Sequence, residues 1–163
     1  MNAAASGAMR AVVTGSSSGI GAAVAARLLA AGWQVDGLDR AEPGIEHAGF
    51  RGHRVDLASS QAVDTVAAEL LATGPVMALV HAAGVLRTAP LGALDAADGA
   101  AMWQLHVEAC TRLADALLPA MARSGQGRVV LVGSRIWRGM PGRSQYAATK
   151  SALAGMARSS PAL

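Results

Sequence analysis

The sequence predicts an α/β fold in which a parallel sheet lies between two layers of helix. Three observations predict it. Short apolar runs alternate along the chain with segments of helical periodicity. The runs are apolar throughout rather than alternating with polar residues, as in strands covered on both faces. Turns rich in glycine close several of them.

Ala11-Val12-Val13 is a buried strand stopped at Thr14-Gly15, and Gly19 to Ala31 is a helix with Ile20, Val24 and Leu28 on one face. Gly32 ends that helix. Gln34 to Leu38 is a second strand closing on Asp39, and Gly52 to Val55 a third ending at Asp56-Leu57. Ser59 is placed to cap a helix over Gln61–Ala72, which stops at Thr73-Gly74-Pro75. Val76 to Val80 is a fourth strand, followed by His81-Ala82-Ala83-Gly84. A short helix leads to a long one over Ala100–Arg123, which Pro119 is expected to kink or end. Arg128 to Val132 is a fifth strand, Gly133 to Arg143 a loop rich in Gly and Arg, and a last helix begins near Ser144.

The 163 residues suffice for one domain. With 52% hydrophobic and 15% charged residues the chain is not disordered, and with 3% aromatics its core must be built from Ala, Val and Leu. The net charge of +3 and the lack of a dense basic patch exclude nucleic acid as an expected partner. The single cysteine, Cys110, excludes an internal disulfide and a cysteine-based metal site, and makes a reducing cytoplasm the expected compartment. No uncharged apolar run is long enough to predict a membrane span. Residues 1–9 carry no signal-peptide pattern and read as a loose leader. Of the fourteen Lys and Arg, only Lys150 is a lysine, and it lies four residues after the only tyrosine, Tyr146.

Thr14-Gly15-Ser16-Ser17-Ser18-Gly19-Ile20-Gly21 joins the first strand to the first helix. Glycines here let the backbone turn tightly and approach a pyrophosphate, while the helix N-terminus offers unpaired N–H groups and the positive end of its dipole. The spacing is not that of a P-loop, because no Lys follows the last glycine. Asp39 ends the second strand, where a dinucleotide fold places the acid that hydrogen-bonds the adenine ribose. Its charge would repel a 2′-phosphate. NAD is therefore the expected cofactor and NADP the less favoured one, with the adjacent Arg40 blunting the discrimination.

Taken together with four further motifs in order, this loop resembles the cofactor loop of the short-chain dehydrogenase/reductase family. Asp56-Leu57 resembles the pair whose carboxylate contacts the adenine amino group. His81-Ala82-Ala83-Gly84 stands where the family has N-N-A-G, and Ser134 with Tyr146-x-x-x-Lys150 resembles the catalytic Ser and Y-x-x-x-K. The resemblance runs from about Arg10 to Arg158. It implies a Rossmann-like doubly wound sheet of order 3-2-1-4-5, and a hydride transfer between nicotinamide and a secondary alcohol or ketone. The cofactor-binding set it implies is Thr14, Gly15, Ser17, Ser18, Gly19, Ile20, Gly21, Asp39, Asp56, Leu57, Ala82, Ala83, Gly84, Tyr146 and Lys150. No metal is implied.

The chemistry explains the residue types. Moving a hydride to or from an alcohol carbon requires a proton to move at the oxygen. A free tyrosine, with a pKa of about 10, is a poor base at neutral pH, and a nearby ammonium favours its phenolate. Residues i and i+4 share a helix face, so Lys150 can stand beside Tyr146 and, by the resemblance, hold the nicotinamide ribose. Ser134 would hydrogen-bond the substrate oxygen.

The departures are specific. The loop between Ser134 and Tyr146 is one residue shorter than the family's, which puts Gly133 at the usual offset. His106 aligns with the family's fourth catalytic residue, an Asn, and is read either as holder of a proton-relay water or as a packing residue. His81 replaces another Asn and reads as structural. Arg135, Arg138 and Arg143 either clamp an anionic substrate or form a solvated loop. Trp33, Trp103 and Trp137 read as packing residues. Residues 10–163 read as the dinucleotide-binding domain without the family's usual C-terminal substrate segment, which leaves the fifth strand as an apolar sheet edge. Two functions remain open: an oxidoreductase, expected to self-associate as family members do, and a non-catalytic nucleotide-binding or assembly-forming fragment of the same fold.

Overall fold

The computed structural model describes residues 9–159. The expected leader falls outside them except for Met9, as does Pro161. Five strands, β1 (Arg10–Thr14), β2 (Gln34–Asp39), β3 (Phe50–Arg54), β4 (Ala78–His81) and β5 (Arg128–Leu131), form one parallel sheet of order β3-β2-β1-β4-β5. The helices are α1 (Gly19–Ala30), α2 (Ser60–Ala72), α3 (Ala96–Trp103), α4 (Ala109–Ser124) and α5 (Ser144–Ser159). The strand order reverses direction between β1 and β4. A crevice opens past the carboxyl ends of strands at such a switch point.

Period-two alternation sorts the strand side chains. Val12, Leu38 and Leu79 face a core built with Val63 and Leu70 of α2 and with Leu113, Leu117 and Met121 of α4. Val13, Val35 and Val80 face the other side, against Ala25 and Leu29 of α1. The core is aliphatic, as the composition requires. Burying each of these Val or Leu side chains contributes about 1.5–3 kcal/mol.

The expectation of strands apolar on both faces holds for β1 and β4 and fails at the edge. β3 is mostly exposed and starts at Phe50, two residues before the predicted Gly52. The Phe50 ring anchors it: a Cβ at Gly37 of β2 would stand 2.5 Å from Phe50 Cζ. β4 begins at Ala78 rather than Val76, although Val76 stays buried. β5 is an exposed apolar edge, with Val130 half-exposed.

The long helix is not continuous. It is divided into α3 and α4 by a π-turn over Gln104–Glu108. Pro119 does not end α4, whose buried face of Leu113, Leu117 and Met121 carries it to Ser124. Gly125 closes it with φ 64°. Trp103 and Trp137 are not core residues: both are partly exposed, and the guanidinium groups of Arg138 and Arg158 stand 5.2 and 5.5 Å from the Trp137 ring centroid. Cys110 is fully buried.

The sheet interior also holds an ion pair. Arg10 Nε donates to Asp36 Oδ2 at 2.6 Å, its Nη1 donates to the carbonyls of Leu70 and Gly74, and His53 Nε2 lies 2.8 Å from Asp36 Oδ1. Burial alone would raise the Asp36 carboxyl. The hydrogen bonds from His53 and Arg10, with the Arg10 charge, outweigh it and hold the group below the usual carboxylate value.

Candidate active site

The glycine loop follows β1 directly, and its conformation requires glycine. Gly15 has φ +70°, and a Cβ there would lie 2.9 Å from the Ala83 backbone. A Cβ on Gly21 would run into the Gly15 carbonyl. Gly19 has φ +53° and open space where its Cβ would point. The Ser18 side chain does not cap α1, and the first turn holds no acid, so its leading N–H groups remain available to an anion.

Below the loop, the buried Thr14 ties the sheet together. Its Oγ1 accepts from the amides of Ala82 and Ala83, both at 3.0 Å, and lies 3.0 Å from His81 Nδ1. With both lone pairs taken, the hydroxyl proton goes to Nδ1. His81 therefore carries its proton on Nε2. That nitrogen has no hydrogen-bond partner, although the Leu105 and His106 carbonyls of the π-turn lie beside it.

A cavity of about 450 Å³ opens over these elements. Of the expected cofactor residues, Gly15, Ser18, Gly19, Ile20, Gly21, Asp39, Asp56, Leu57, Ala82, Ala83 and Gly84 line it. Thr14 supports it from below. Ser17 stands beside it, donating its backbone N–H to Asp39 Oδ2 at 3.0 Å. Asp39 Oδ1 accepts from Ala41 N–H, and Asp56 Oδ1 accepts from Ala58 N–H. Sequence reasoning missed Val55, Ala58, Val85, Arg87, Ala101 and Leu105 as wall residues, because nothing local in the sequence marks them.

Tyr146 and Lys150 lie on α5 beyond Gly84. Lys150 Nζ is 5.8 Å from the Tyr146 ring centroid and donates to the Val132 carbonyl at 2.9 Å. Burial pushes its ammonium below the usual lysine value. A Cβ on Gly84 would stand 3.1 Å from His106 Nε2 and 3.7 Å from Lys150 Nζ, so this glycine is the thin wall between cavity and helix.

His106 is fully buried in the π-turn. Its Nε2 accepts from Val85 N–H at 2.9 Å, and its Nδ1 lies 2.8 Å from Thr149 Oγ1. Its ring meets that of Tyr146 edge-on, with centroids 5.6 Å apart and an interplanar angle of 89°. Burial first, and the Lys150 charge second, push both His81 and His106 down to about 4 from an ordinary 6.5.

Ser134 caps a 3-10 turn over Arg135–Arg138, its Oγ accepting from Ile136 N–H at 3.3 Å. It lines a second cavity of about 330 Å³ together with Lys150, Arg135, Trp137 and Leu153. Of the three loop arginines, Arg135 lines that cavity, Arg138 packs on Trp137, and the backbone of Arg143 forms a bridge with that of Ala89. Burial raises the Cys110 thiol to about 12, which leaves it inert. Among the described residues no His, Cys, Asp and Glu cluster suits a metal, and no helix is long and apolar enough to cross a membrane.

A doubly wound sheet with a glycine cradle at its switch point defines a Rossmann-like nucleotide-binding fold, and a Tyr-x-x-x-Lys helix stands behind one wall of its cavity. The family model described as short chain dehydrogenase matches residues 9–161, and the chain belongs to that family. It is 34% identical to the short-chain reductase protein NovJ of Streptomyces niveus, over 91% of this chain and 60% of NovJ. It is 30% identical to the 3-oxoacyl-[acyl-carrier-protein] reductase FabG of Escherichia coli (strain K12), over 91% of this chain and 64% of FabG. A short-chain dehydrogenase structure from Streptomyces avermitilis superposes with TM-score 0.89 at 32% identity, covering 93% of this chain and 59% of that one. A metagenomic short-chain oxidoreductase in complex with NADP does so with TM-score 0.85 at 30% identity, covering 93% and 74%. The chain thus spans about 60% of the length of NovJ and 64% of FabG.

Proposed function

We propose that the protein is a nicotinamide-dependent oxidoreductase that interconverts a secondary alcohol and a ketone, with Tyr146 as general acid/base. The observation that carries the reading is Gly84. Only the space left by its missing Cβ separates the glycine-loop cavity from Lys150 and from the ring that packs on Tyr146. A dinucleotide fits the residues present. The open face of Gly19 and the uncapped N–H groups of α1 suit its pyrophosphate, and Asp39 and Asp56 suit its adenosine end. When bound, the nicotinamide supplies or takes the hydride.

The chain's own residues handle the proton. Tyr146 presents its hydroxyl to the substrate oxygen and gives up or receives the proton there. Lys150 places a positive charge 5.8 Å from the Tyr146 ring centroid, which favours the phenolate when the proton leaves. One of its three donors goes to Val132, leaving others for the ribose hydroxyls. Ser134 already accepts from Ile136, so its own O–H is the group that donates to the substrate oxygen. Asp39 at the cavity wall favours NAD over NADP by like-charge repulsion of a 2′-phosphate, with Arg40 on the same wall reducing the margin. The substrate is a small molecule, the active form a homo-oligomer, and the compartment the cytoplasm, in keeping with a single buried cysteine.

The test is cofactor binding and turnover on the same sample, with NADH and NADPH and a panel of ketones. Binding of NADH with ketone-dependent oxidation supports the reading. Binding without turnover of any ketone supports the non-catalytic alternative.

A further inference from the structure

Every bond that reaches His106 can be assigned a direction. Val85 N–H donates to Nε2, so Nε2 carries no proton. A neutral ring then has its proton on Nδ1, which donates to Thr149 Oγ1. The Thr149 hydroxyl in turn donates to the carbonyl of Tyr146 at 2.9 Å. His106 therefore spans from the loop behind Gly84 to the first turn of α5, ending on the backbone of Tyr146 itself. Both ring nitrogens are occupied, which leaves none for a relay water.

The placement of the ring is unusual in two respects. It sits in the π-turn, where the helix ladder slips by one residue and re-aims a side chain. It also touches the space of Gly84, where a Cβ would stand 3.1 Å from Nε2. The imidazole edge meets the Tyr146 ring directly as well, so Tyr146 is held both by its carbonyl and by its ring. The groups facing His106 are Lys150, His81 and Tyr146, with no carboxylate among its partners.

We propose that His106 is a positioning residue for Tyr146: a neutral, Nδ1-protonated brace that, through Thr149, fixes the Tyr146 turn of α5 against the cavity wall at Gly84. The proposal rests on Tyr146 being the general acid/base. His106 transfers no proton in this account, and its effect is carried by Thr149 and by its ring edge.

The chain offers two direct readouts, because it holds one tyrosine and four histidines. In the 163-residue chain with 15N-labelled histidine, the imidazole NMR of His106 should show Nδ1 protonated and Nε2 bare at pH 7. His81 should show the opposite tautomer. Ring-labelled tyrosine should give one signal, and Thr149→Val, which cuts the brace while leaving the imidazole, should shift or broaden it. In turnover, Thr149→Val should lower kcat about tenfold with KM for the cofactor unchanged, and Thr149→Ser should restore it. His106→Asn combined with Thr149→Val should be no slower than His106→Asn alone, since both cut one path.

An Nε2-protonated His106 would overturn the proposal. So would a Thr149→Val protein with wild-type kcat and an unmoved tyrosine signal. If Tyr146→Phe instead retains turnover, the assignment of Tyr146 fails, and the tautomer and ring-signal measurements still decide whether the brace exists.

Discussion

Lowering the pH from 7 to 4.5 should destabilise the protein through its two buried histidines. His81 and His106 are neutral in the folded chain, with pKa values pushed from 6.5 to about 4, while in the unfolded chain each titrates at its ordinary value. The unfolded state therefore takes up protons first. The stability tied to each neutral imidazole is complete above about pH 6.5 and is lost as the pH falls towards 4. At 1.36 kcal/mol per unit, the loss between pH 7 and 4.5 comes to about 2–3 kcal/mol for each histidine. Against a typical total of about 5–15 kcal/mol, that is enough to unfold a marginal domain. The Asp36 carboxylate acts in a different window, since its depressed pKa withholds its contribution only below the ordinary 3.8. Urea unfolding followed by circular dichroism at pH 7.0, 6.0, 5.0 and 4.5 measures the slope. His81→Asn and His106→Asn should each remove about half of it, whatever their absolute stabilities. A stability that stays flat from pH 7 to 4.5 would refute the assignment of two neutral buried histidines.

Gly21→Ala should cost at least tenfold in NADH affinity by fluorescence titration, because its Cβ meets the Gly15 carbonyl. Gly155→Ala, with open space at its Cβ and an ordinary helical φ, should leave affinity unchanged and raise stability by about 0.5–1 kcal/mol. Asp39→Ser should narrow or reverse the ratio of NADPH to NADH dissociation constants; an unchanged ratio would remove Asp39 from cofactor choice. Asp36→Leu should cost about 3–5 kcal/mol by denaturant melts, because it leaves the Arg10 guanidinium buried and unpaired, and Arg10→Met added to it should recover most of the loss.

What was legible in the sequence is what the chain writes locally. The glycine loop, Asp39 at the end of β2, Asp56 after β3 and the i, i+4 pair on α5 each depend on near neighbours, and the structure places them around one crevice and the helix behind its wall. The contacts between distant segments were not legible. Thr149 looks like any threonine in an Ala-rich helix until His106, 43 residues earlier, is brought against it. The π-turn leaves no sign, because a one-residue slip in the ladder keeps the same apolar stripe nearly in phase. Arg10 and Asp36 lie inside segments that read as strands, and only the parallel register of β1 on β2 shows that their charges are buried together. β3 was misplaced because its anchor, Phe50, packs on a glycine of the neighbouring strand rather than within its own run.

The most direct test of the central claim is steady-state ketone reduction by wild type and Tyr146→Phe, with NADH binding measured on both. Removing one hydroxyl from a partly buried ring leaves the cavity walls intact, so NADH affinity should stay within about threefold. Loss of a general acid should lower kcat by about 10²–10⁴. A Tyr146→Phe protein that turns over at the wild-type rate would contradict the account.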